Sequence, residues 1–208
     1  MAKITKKAKV TKKAKTAKTA KTAKTAKTAK TAVKGSDRVG AVSAAAGATS
    51  EGLVLGRRVP EFSLPATGGK RVRLSDLKGQ WVVLYFYPKD STPGCTVEGH
   101  DFSRLQGEFS RLKAQVFGVS RDSLSSHERF KEKEGYSIDL LSDQDEKLCE
   151  MFAVIKMKNM YGRQVRGIER STFIIDPDGR LNHEWRKVSV PGHAEAVLKH
   201  LKDKLSMG

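Results

Sequence analysis

The sequence predicts an α/β domain with a mixed central sheet. Three observations carry this prediction: a long apolar run at Trp81–Tyr87, shorter segments of strand composition, and helical spacing of apolar residues between them. Seven consecutive apolar residues suffice for a strand that is buried on both faces. Strands that alternate with helices at intervals of about 10–15 residues indicate a layered α/β fold.

Seven segments have the length and composition of strands, and at least three have the spacing of helices. The predicted strands are 60–64, 71–74, 81–87, 115–119, 138–141, 172–175 and 181–188. Helices are predicted where apolar residues recur every three or four positions, at 102–112, 146–152 and 197–205. The turn Thr67-Gly68-Gly69 separates the first two strands. These elements place the folded domain at residues 51–208.

The first fifty residues differ in composition from the rest of the chain. The chain has 208 residues and a formal net charge of +17. Residues 1–50 hold 13 Lys and one Arg against a single Asp, a net charge of +13, which leaves only +4 for residues 51–208. Six consecutive Lys-Thr-Ala repeats fill residues 15–32 and give a helix no apolar face. We therefore predict that residues 1–50 form a disordered basic tail and linker.

Composition also excludes several classes of protein. No run of about 18 apolar residues is present, so no transmembrane helix is predicted, and no apolar signal core follows the early lysines. Two cysteines, Cys95 and Cys149, are too few for a disulfide framework or a closed zinc site. The five histidines lack metal-ligand spacing. We expect no metal and no cofactor, in a cytoplasmic protein with reduced thiols.

The residues most informative about function follow the apolar run. Thr92 and Pro93 are typical of a helix start, with Thr at the N-cap and Pro at the first helical position. Cys95 then lies in the first turn, where unpaired backbone N–H groups and the helix dipole stabilise a thiolate. A small buried packing residue is the other interpretation of an isolated cysteine. The Thr-Pro-Gly sequence before Cys95 favours the reactive one.

This segment resembles the signature of peroxiredoxins, the cysteine-based peroxidases with a thioredoxin fold. The signature is Pro88-x-x-x-Thr92-x-x-Cys95, and the string from Tyr85 to Thr96 is similar to the Q-type, or bacterioferritin comigratory protein, subgroup. The similarity continues in order through further blocks: Gly118–Asp122, Leu140–Asp143, Gly167–Phe173, Trp185 and Val190–His193. It covers about residues 53–205 and implies a three-layer thioredoxin-like sandwich.

The resemblance implies an antioxidant, thiol-dependent peroxidase that reduces hydrogen peroxide and organic hydroperoxides. Cys95 would be the peroxidatic cysteine, whose thiolate attacks the O–O bond and becomes a sulfenic acid. Thr92 would form a hydrogen bond near the sulfur and the bound peroxide, and Arg170 would hold a positive charge beside both. Pro88 would wall the substrate pocket. Thioredoxin or a similar thiol donor would then reduce the oxidised cysteine.

Three further positions have open roles. Glu98 either orients Arg170 or is simply an acid in the first turn of a helix. Many Q-type members carry a resolving cysteine five residues after the peroxidatic one, where this chain has His100. Cys149 is the other candidate for a resolving thiol, but it flanks a predicted apolar helix face and fits a structural buried thiol better. A one-cysteine cycle with an external thiol is the leading expectation.

The basic tail supports a second hypothesis. A lysine-rich arm binds nucleic acid by neutralising phosphates, without sequence preference. We expect residues 1–34 either to bind nucleic acid, with association to the nucleoid, or to act as a solubilising arm. The alternative function is a nucleic-acid-associated protective protein whose domain has little turnover because His100 replaces the resolving cysteine. We expect a monomer without a membrane partner.

Overall fold

The computed structural model describes residues 52–160 and 162–206. The strands in this part of the chain are β1 (Ser63–Ala66), β2 (Lys70–Arg73), β3 (Trp81–Phe86), β4 (Ala114–Ser120), β5 (Asp139–Ser142), β6 (Ile155–Met160), β7 (Arg163–Ile168), β8 (Ser171–Ile175) and β9 (Leu181–Trp185). The helices are α1 (Pro93–Arg111), α2 (Leu124–Glu134), α3 (Lys147–Met151), α4 (His193–Ser206) and a 3-10 turn at Leu74–Leu77. None of these helices is both long enough and apolar enough to cross a membrane. The predicted tail, residues 1–50, lies outside the described residues.

Seven of the described strands form one mixed sheet in the order β2-β1-β5-β4-β3-β8-β9. β3 runs parallel to β4, and β4 runs parallel to β5. β8 runs antiparallel to β3 on its other side. β3 lies inside the sheet, and its residues Val82 to Phe86 are all buried. The α/β class and the mixed sheet that the sequence predicts are therefore confirmed.

The sheet separates two apolar clusters, because successive residues of a strand point to opposite faces. Val83 and Tyr85 of β3 belong to the first cluster, which also contains side chains of α1, α2 and α4. Leu84 and Phe86 belong to the second cluster, together with side chains of α3 and the 3-10 turn. Helices thus cover both faces, which gives the three layers of the predicted thioredoxin-like sandwich.

The bounds of five predicted strands are shifted by only one residue at an end, whereas the first and last strands differ by more. The first strand was expected at 60–64, but β1 pairs with β2 right up to the turn, with Ala66 opposite Lys70. Gly68 and Gly69 both have positive φ and form the turn themselves, so pairing begins immediately beside them. The last strand was expected to reach residue 188. β9 ends at Trp185, shortly before Lys187 adopts a left-handed φ of 50° that a strand does not tolerate.

Two elements were not predicted from the sequence. Helix α2 buries only His127 and Phe130, so it shows no continuous apolar stripe. The hairpin of β6 and β7 forms a separate two-stranded sheet whose side chains are mostly exposed. Both elements are polar at the sequence level and acquire their structure from contacts with the rest of the domain.

Candidate active site

Cys95 lies at the start of α1, just after the turn that joins β3 to this helix. The buried strand β3 ends at Phe86, and α1 begins at Pro93. Cys95 is the third residue of α1, and only 2% of its surface is exposed. The thiol therefore lies in the first turn of a helix, after the carboxyl end of a central strand, as the sequence predicts.

Thr92 occupies the N-cap position of α1 but does not cap the helix with its side chain. Its backbone is extended, with φ −98° and ψ 147°. Its hydroxyl donates a hydrogen bond to the carbonyl oxygen of Lys89 at 3.1 Å and so closes the preceding turn. The predicted N-cap position of Thr92 is confirmed, and its hydroxyl is engaged by the preceding turn rather than by a backbone N–H of α1. The role of Thr92 at the sulfur stays a prediction.

Arg170 reaches Cys95 because of the pairing between β8 and β3. Ser171, the first residue of β8, lies opposite Phe86, the last residue of β3. The residue before β8 is therefore held next to the turn that leads to α1. Its guanidinium nitrogen Nη2 lies 3.3 Å from the Sγ of Cys95. The approach is close, since a Cβ at Gly94 would lie 3.4 Å from that same nitrogen.

Glu98 binds the other side of the same guanidinium. Its Oε2 forms an ion pair with Nη1 of Arg170, so the guanidinium bridges the carboxylate and the thiol. Only 1% of Glu98 is exposed, and its Oε1 has no hydrogen-bond partner among the described residues. Burial raises the pKa of Glu98 to about 7, against the opposing effect of the Arg170 charge. The contact favours orientation of Arg170 as the role of Glu98.

Behind Arg170 lies a buried histidine that does not carry charge at neutral pH. His193 begins α4, and its Nε2 lies 2.8 Å from the Oγ1 of Thr172. Burial and the nearby Arg170 charge lower the pKa of His193 to about 4. The ring of Trp185 packs edge-on against it at 5.7 Å. The imidazole is thus neutral and does not compete with the Arg170 guanidinium for the thiolate.

A buried polar network holds the turn before Cys95, and sequence reasoning missed it. The hydroxyl of Tyr87 donates to Oδ1 of Asp90 at 2.8 Å, and that of Ser126 donates to Oδ2 at 2.7 Å. Nδ1 of His127 lies 2.9 Å from the same Oδ2. These hydrogen bonds lower the pKa of Asp90, although burial opposes them. Asp90 was visible in the signature string, but nothing in the sequence connects it with His127 of α2.

Cys149 lies far from this arrangement, on the opposite face of the sheet. It is fully buried in the cluster that contains Leu84 and Phe86, whereas Cys95 belongs to the cluster on the other face. Its backbone N–H donates to Oδ2 of Asp143 at 2.7 Å. Burial, and then the Asp143 charge, raise the pKa of the Cys149 thiol. These surroundings fit a structural thiol.

Pro88 and His100 complete the predicted positions. Pro88 is half-buried in the turn between β3 and α1. His100 is exposed on α1, where its Nε2 lies 3.2 Å from Oε2 of Glu134 and its ring meets Tyr136 edge-on at 5.1 Å. It therefore bonds to Glu134 at the end of α2 rather than to Cys95. Across the described residues, no three His, Cys, Asp or Glu side chains converge as metal ligands.

Comparison with known sequences agrees with this geometry. Residues 55–184 match the AhpC/TSA family. The chain is 56% identical over 143 residues to Peroxiredoxin Bcp of Xanthomonas campestris, which spans 68% of this chain and 89% of that protein. It is 49% identical over 151 residues to Peroxiredoxin Bcp of Bacillus subtilis, which spans 73% and 96% of the two chains.

Solved structures show the same likeness. Peroxiredoxin Q of Xanthomonas campestris is 52% identical with a TM-score of 0.68, covering 74% of this chain and 98% of that one. The bacterioferritin comigratory protein of the same organism, studied for alkyl peroxide reduction in trapped intermediate and ligand complexes, is 54% identical with a TM-score of 0.66, covering 69% and 91%. The chain therefore belongs to the AhpC/TSA family and, within it, to the Q-type peroxiredoxins.

Proposed function

We propose that this peroxiredoxin is a thiol-dependent peroxidase that uses Cys95 as its peroxidatic cysteine. The observation that supports this most strongly is the guanidinium of Arg170, which lies 3.3 Å from the Cys95 sulfur and is held in place by buried Glu98. A fixed positive charge beside a thiol in the first turn of a helix stabilises the reactive thiolate. Hydrogen peroxide and organic hydroperoxides are the proposed substrates.

In the oxidation step, the Cys95 thiolate attacks the outer oxygen of a hydroperoxide. The S–O bond forms as the O–O bond breaks, and the leaving oxygen takes a proton and departs as an alcohol or water. The sulfur becomes a sulfenic acid. Arg170 stabilises the negative charge that develops on the oxygens, as a preorganised donor does in other polar active sites. Thr92 and Pro88 lie in the turn that leads to Cys95, and we assign them to the peroxide-binding pocket.

The reduction step needs a thiol from outside the chain. The sequence holds two cysteines, and Cys149 lies on the far face of the sheet from Cys95. A donor thiol therefore condenses with the sulfenic acid, which forms a mixed disulfide and releases water. A second donor thiol attacks this disulfide, frees Cys95 and leaves the donor oxidised. Thioredoxin, which carries two thiols, meets this requirement.

A protein donor reaches Cys95 only after the first turn of α1 opens, because the thiol is 2% exposed. Two features make this turn easy to open. No side chain caps its N-terminus, since Thr92 bonds to Lys89 instead. Ser91, immediately before it, has a left-handed φ of 57°, which is strained for a residue with a Cβ. Local opening of one helical turn is thus the proposed route to the mixed disulfide.

The proposed function is tested by measuring peroxide consumption with dithiothreitol or thioredoxin as the donor. Cys95→Ser is expected to lower the rate by about a thousandfold or more, because the nucleophile is lost. Cys149→Ser is the matched control and is expected to keep the rate within about threefold, because that thiol does not take part. A Cys95→Ser variant as fast as the wild type would contradict the proposal.

For the basic tail we propose non-specific binding of nucleic acid through residues 1–34. The supporting observation is the net charge of +13 on residues 1–50. Retention on duplex DNA should fall steeply with salt, because each neutralised phosphate releases counterions. The full chain is compared with residues 51–208 between low and high salt. Equal retention of the two proteins would leave the tail as a solubilising arm.

A further inference from the structure

The β6–β7 hairpin stands outside the seven-stranded sheet. Its two strands pair only with each other in the described structure. A lone two-stranded hairpin is marginally stable in water, so this one depends on contacts at its base. Ile168 is fully buried there, and Arg166 forms ion pairs with Glu146 and Glu150 next to α3. The side of the hairpin that carries Arg166 therefore attaches the hairpin to the rest of the domain.

The other side of the hairpin carries basic residues without such anchors. Cross-strand pairing puts Lys156 opposite Gly167 and Lys158 opposite Val165, and Arg163 follows on the same side. Lys156 and Arg163 are exposed and form no ion pair with any residue of 52–160 or 162–206. Val165 is 43% exposed between them. We call Lys156, Lys158, Arg163 and Val165 the basic face.

The basic face borders the Cys95 site. Strand β7 leads within two residues to Arg170. Nζ of Lys158 donates a hydrogen bond to the carbonyl oxygen of Ile168, which turns this side chain toward the base of the hairpin. Burial lowers the pKa of Lys158, and the charge of Glu169 opposes this shift. Because Arg170 contacts the Cys95 sulfur, the basic face lies next to a residue of the proposed reaction centre.

An open cavity of ≈ 530 Å³ adjoins the basic face. Lys156, Met157 and Lys187 contribute to its lining. Lys187 is exposed, and Met157 is 62% exposed. Arg186 also lines the cavity, but Glu184 and the carbonyl oxygen of Phe152 already bind its guanidinium. Glu169 lines it too, so the cavity offers two lysines and one carboxylate around an apolar side chain.

We propose that the basic face and the adjoining cavity form the docking surface for the protein thiol donor, and that the donor carries acidic residues beside its reactive thiol. The inference rests on the proposed function, in which an external thiol must reach Cys95. Complementary charge steers such a donor toward its site and raises the association rate. Val165, on the basic face, would pack against apolar residues around the donor thiol, and Met157, which lies opposite Arg166 on the other side of the hairpin, would contact the donor at the cavity.

A nucleic acid is the competing occupant, because Lys156 and Arg163 also attract phosphates. The exposed apolar side chains favour a protein. Val165 lies among the basic residues of the hairpin, and Met157 lies at the cavity that Lys156 lines. A phosphate backbone offers such side chains no apolar partner, whereas protein interfaces bury methionine and aliphatic groups at their centres. The position next to Cys95 also serves a thiol donor directly.

The test compares two double charge reversals in the full chain. Lys156→Glu with Arg163→Glu alters the basic face and leaves Lys158, which is bonded inside the fold, unchanged. Arg73→Glu with Lys78→Glu makes the same change in net charge at two exposed residues that flank the 3-10 turn before β3. Each protein is first oxidised with hydrogen peroxide in a stopped-flow instrument. The oxidised protein is then reduced with thioredoxin or with dithiothreitol at several salt concentrations.

The proposal predicts a defect in one reaction only. The basic-face variant should lose about tenfold or more in kcat/KM for reduced thioredoxin at low salt, and the loss should shrink at high salt. Its oxidation by peroxide and its reduction by dithiothreitol should stay within about twofold of the wild type. The Arg73/Lys78 variant should resemble the wild type throughout.

Other outcomes overturn the proposal and show which part fails. Equal losses in the two variants would mean that only net charge matters, and a loss with dithiothreitol or peroxide would place the effect at the reaction centre. Unchanged thioredoxin kinetics with weaker duplex DNA retention would assign the face to nucleic acid. If peroxide does not oxidise Cys95 in the wild type, the proposed function itself fails, and the docking proposal fails with it.

Discussion

Cys95 and Cys149 are both buried thiols, but the charges around them have opposite signs. Cys95 lies in the first turn of α1, 3.3 Å from the guanidinium of Arg170. Cys149 lies in the short helix α3, where its backbone N–H bonds to the carboxylate of Asp143. Burial and this carboxylate raise the pKa of Cys149. The two buried thiols thus differ in the sign of the charge beside them, which supports the proposal that Cys95 is the reactive thiol and Cys149 a structural one.

The two cysteines are also separated in space by the central sheet. The two cysteines belong to clusters on opposite faces of the sheet, and strand β3 contributes alternate residues to each. A disulfide between them would need Cα atoms within about 7 Å, so at least one cysteine would have to leave its cluster first. In the folded protein, Cys95 therefore stays beside the Arg170 guanidinium and Cys149 beside the Asp143 carboxylate.

The largest difference between the two cysteines is expected in their rates of alkylation when the native protein is treated with iodoacetamide at neutral pH. Cys95 is expected to react at least about a hundredfold faster than Cys149, because a guanidinium lies beside its sulfur, whereas burial and the Asp143 carboxylate raise the pKa of Cys149. Peptide mass spectrometry quantifies each residue over time. In denaturant the two rates should converge, since the difference is created by the fold. Equal rates in the native state would contradict the proposed difference in reactivity between Cys95 and Cys149.

Arg170→Gln is expected to lower the second-order rate constant for peroxide by about a hundredfold. The variant loses the charge that stabilises the thiolate and the oxygens of the substrate. Arg170→Lys should recover only part of the rate, because a lysine cannot bridge Glu98 and Cys95 with two nitrogens. Arg104→Gln, at an exposed position of α1, the helix that carries Cys95, is the control and should stay within about twofold. A similar loss in both variants would show that positive charge acts on the site from a distance rather than by contact with the sulfur.

Glu98→Gln should change how stability depends on pH. The folded-state pKa of Glu98 is about 7 against an ordinary value of 4.5, so the folded protein holds this proton more tightly than the unfolded chain. The stabilisation from the protonated carboxyl is complete below about pH 4.5 and is lost as pH rises through 7. The wild type should therefore lose roughly 3 kcal/mol relative to Glu98→Gln over this range. Urea unfolding at several pH values measures the difference, and parallel profiles would contradict it.

The smallest effect, on the free energy of unfolding, is expected from replacing two glycines of α1 with alanine. A Cβ at Gly99 would lie 2.5 Å from the ring of Tyr136, whose hydroxyl donates to the carbonyl oxygen of Thr96. Gly99→Ala should destabilise the fold by about 1–3 kcal/mol, because Tyr136 must move. Gly107→Ala meets no atom within 4 Å and should stabilise the helix by up to about 1 kcal/mol. Thermal unfolding distinguishes the two, and equal shifts would refute this packing of Tyr136 against α1.

The sequence predicts the half of the site that lies within one segment. Cys95, Thr92 and the start of α1 follow from local signals, because a strand, a turn and a helix N-terminus adjoin one another in the chain. The contact with Arg170 does not follow from local signals. It spans 75 residues and exists because β8 pairs with β3 in one particular register. The resemblance to a family, rather than the residue pattern, indicated that position.

The sequence did not predict the elements that are stabilised mainly by contacts between distant parts of the chain. The Asp90–His127 pair joins the turn before α1 to a helix with only two buried side chains. Strand β6 of the hairpin alternates lysines with isoleucine, methionine and asparagine, so its pattern lacks the apolar face that identifies a strand. Its structure depends on Arg166 and two glutamates that belong to another part of the chain.

The proposed mechanism requires that Cys95 alone carries the peroxide chemistry. The most direct test treats the full chain with one equivalent of hydrogen peroxide in the presence of a sulfenic acid trap and then identifies the modified residue by peptide mass spectrometry. We expect the trapped adduct on Cys95 and a free thiol at Cys149. A trapped adduct on Cys149, or a disulfide between Cys95 and Cys149 within one chain, would contradict it.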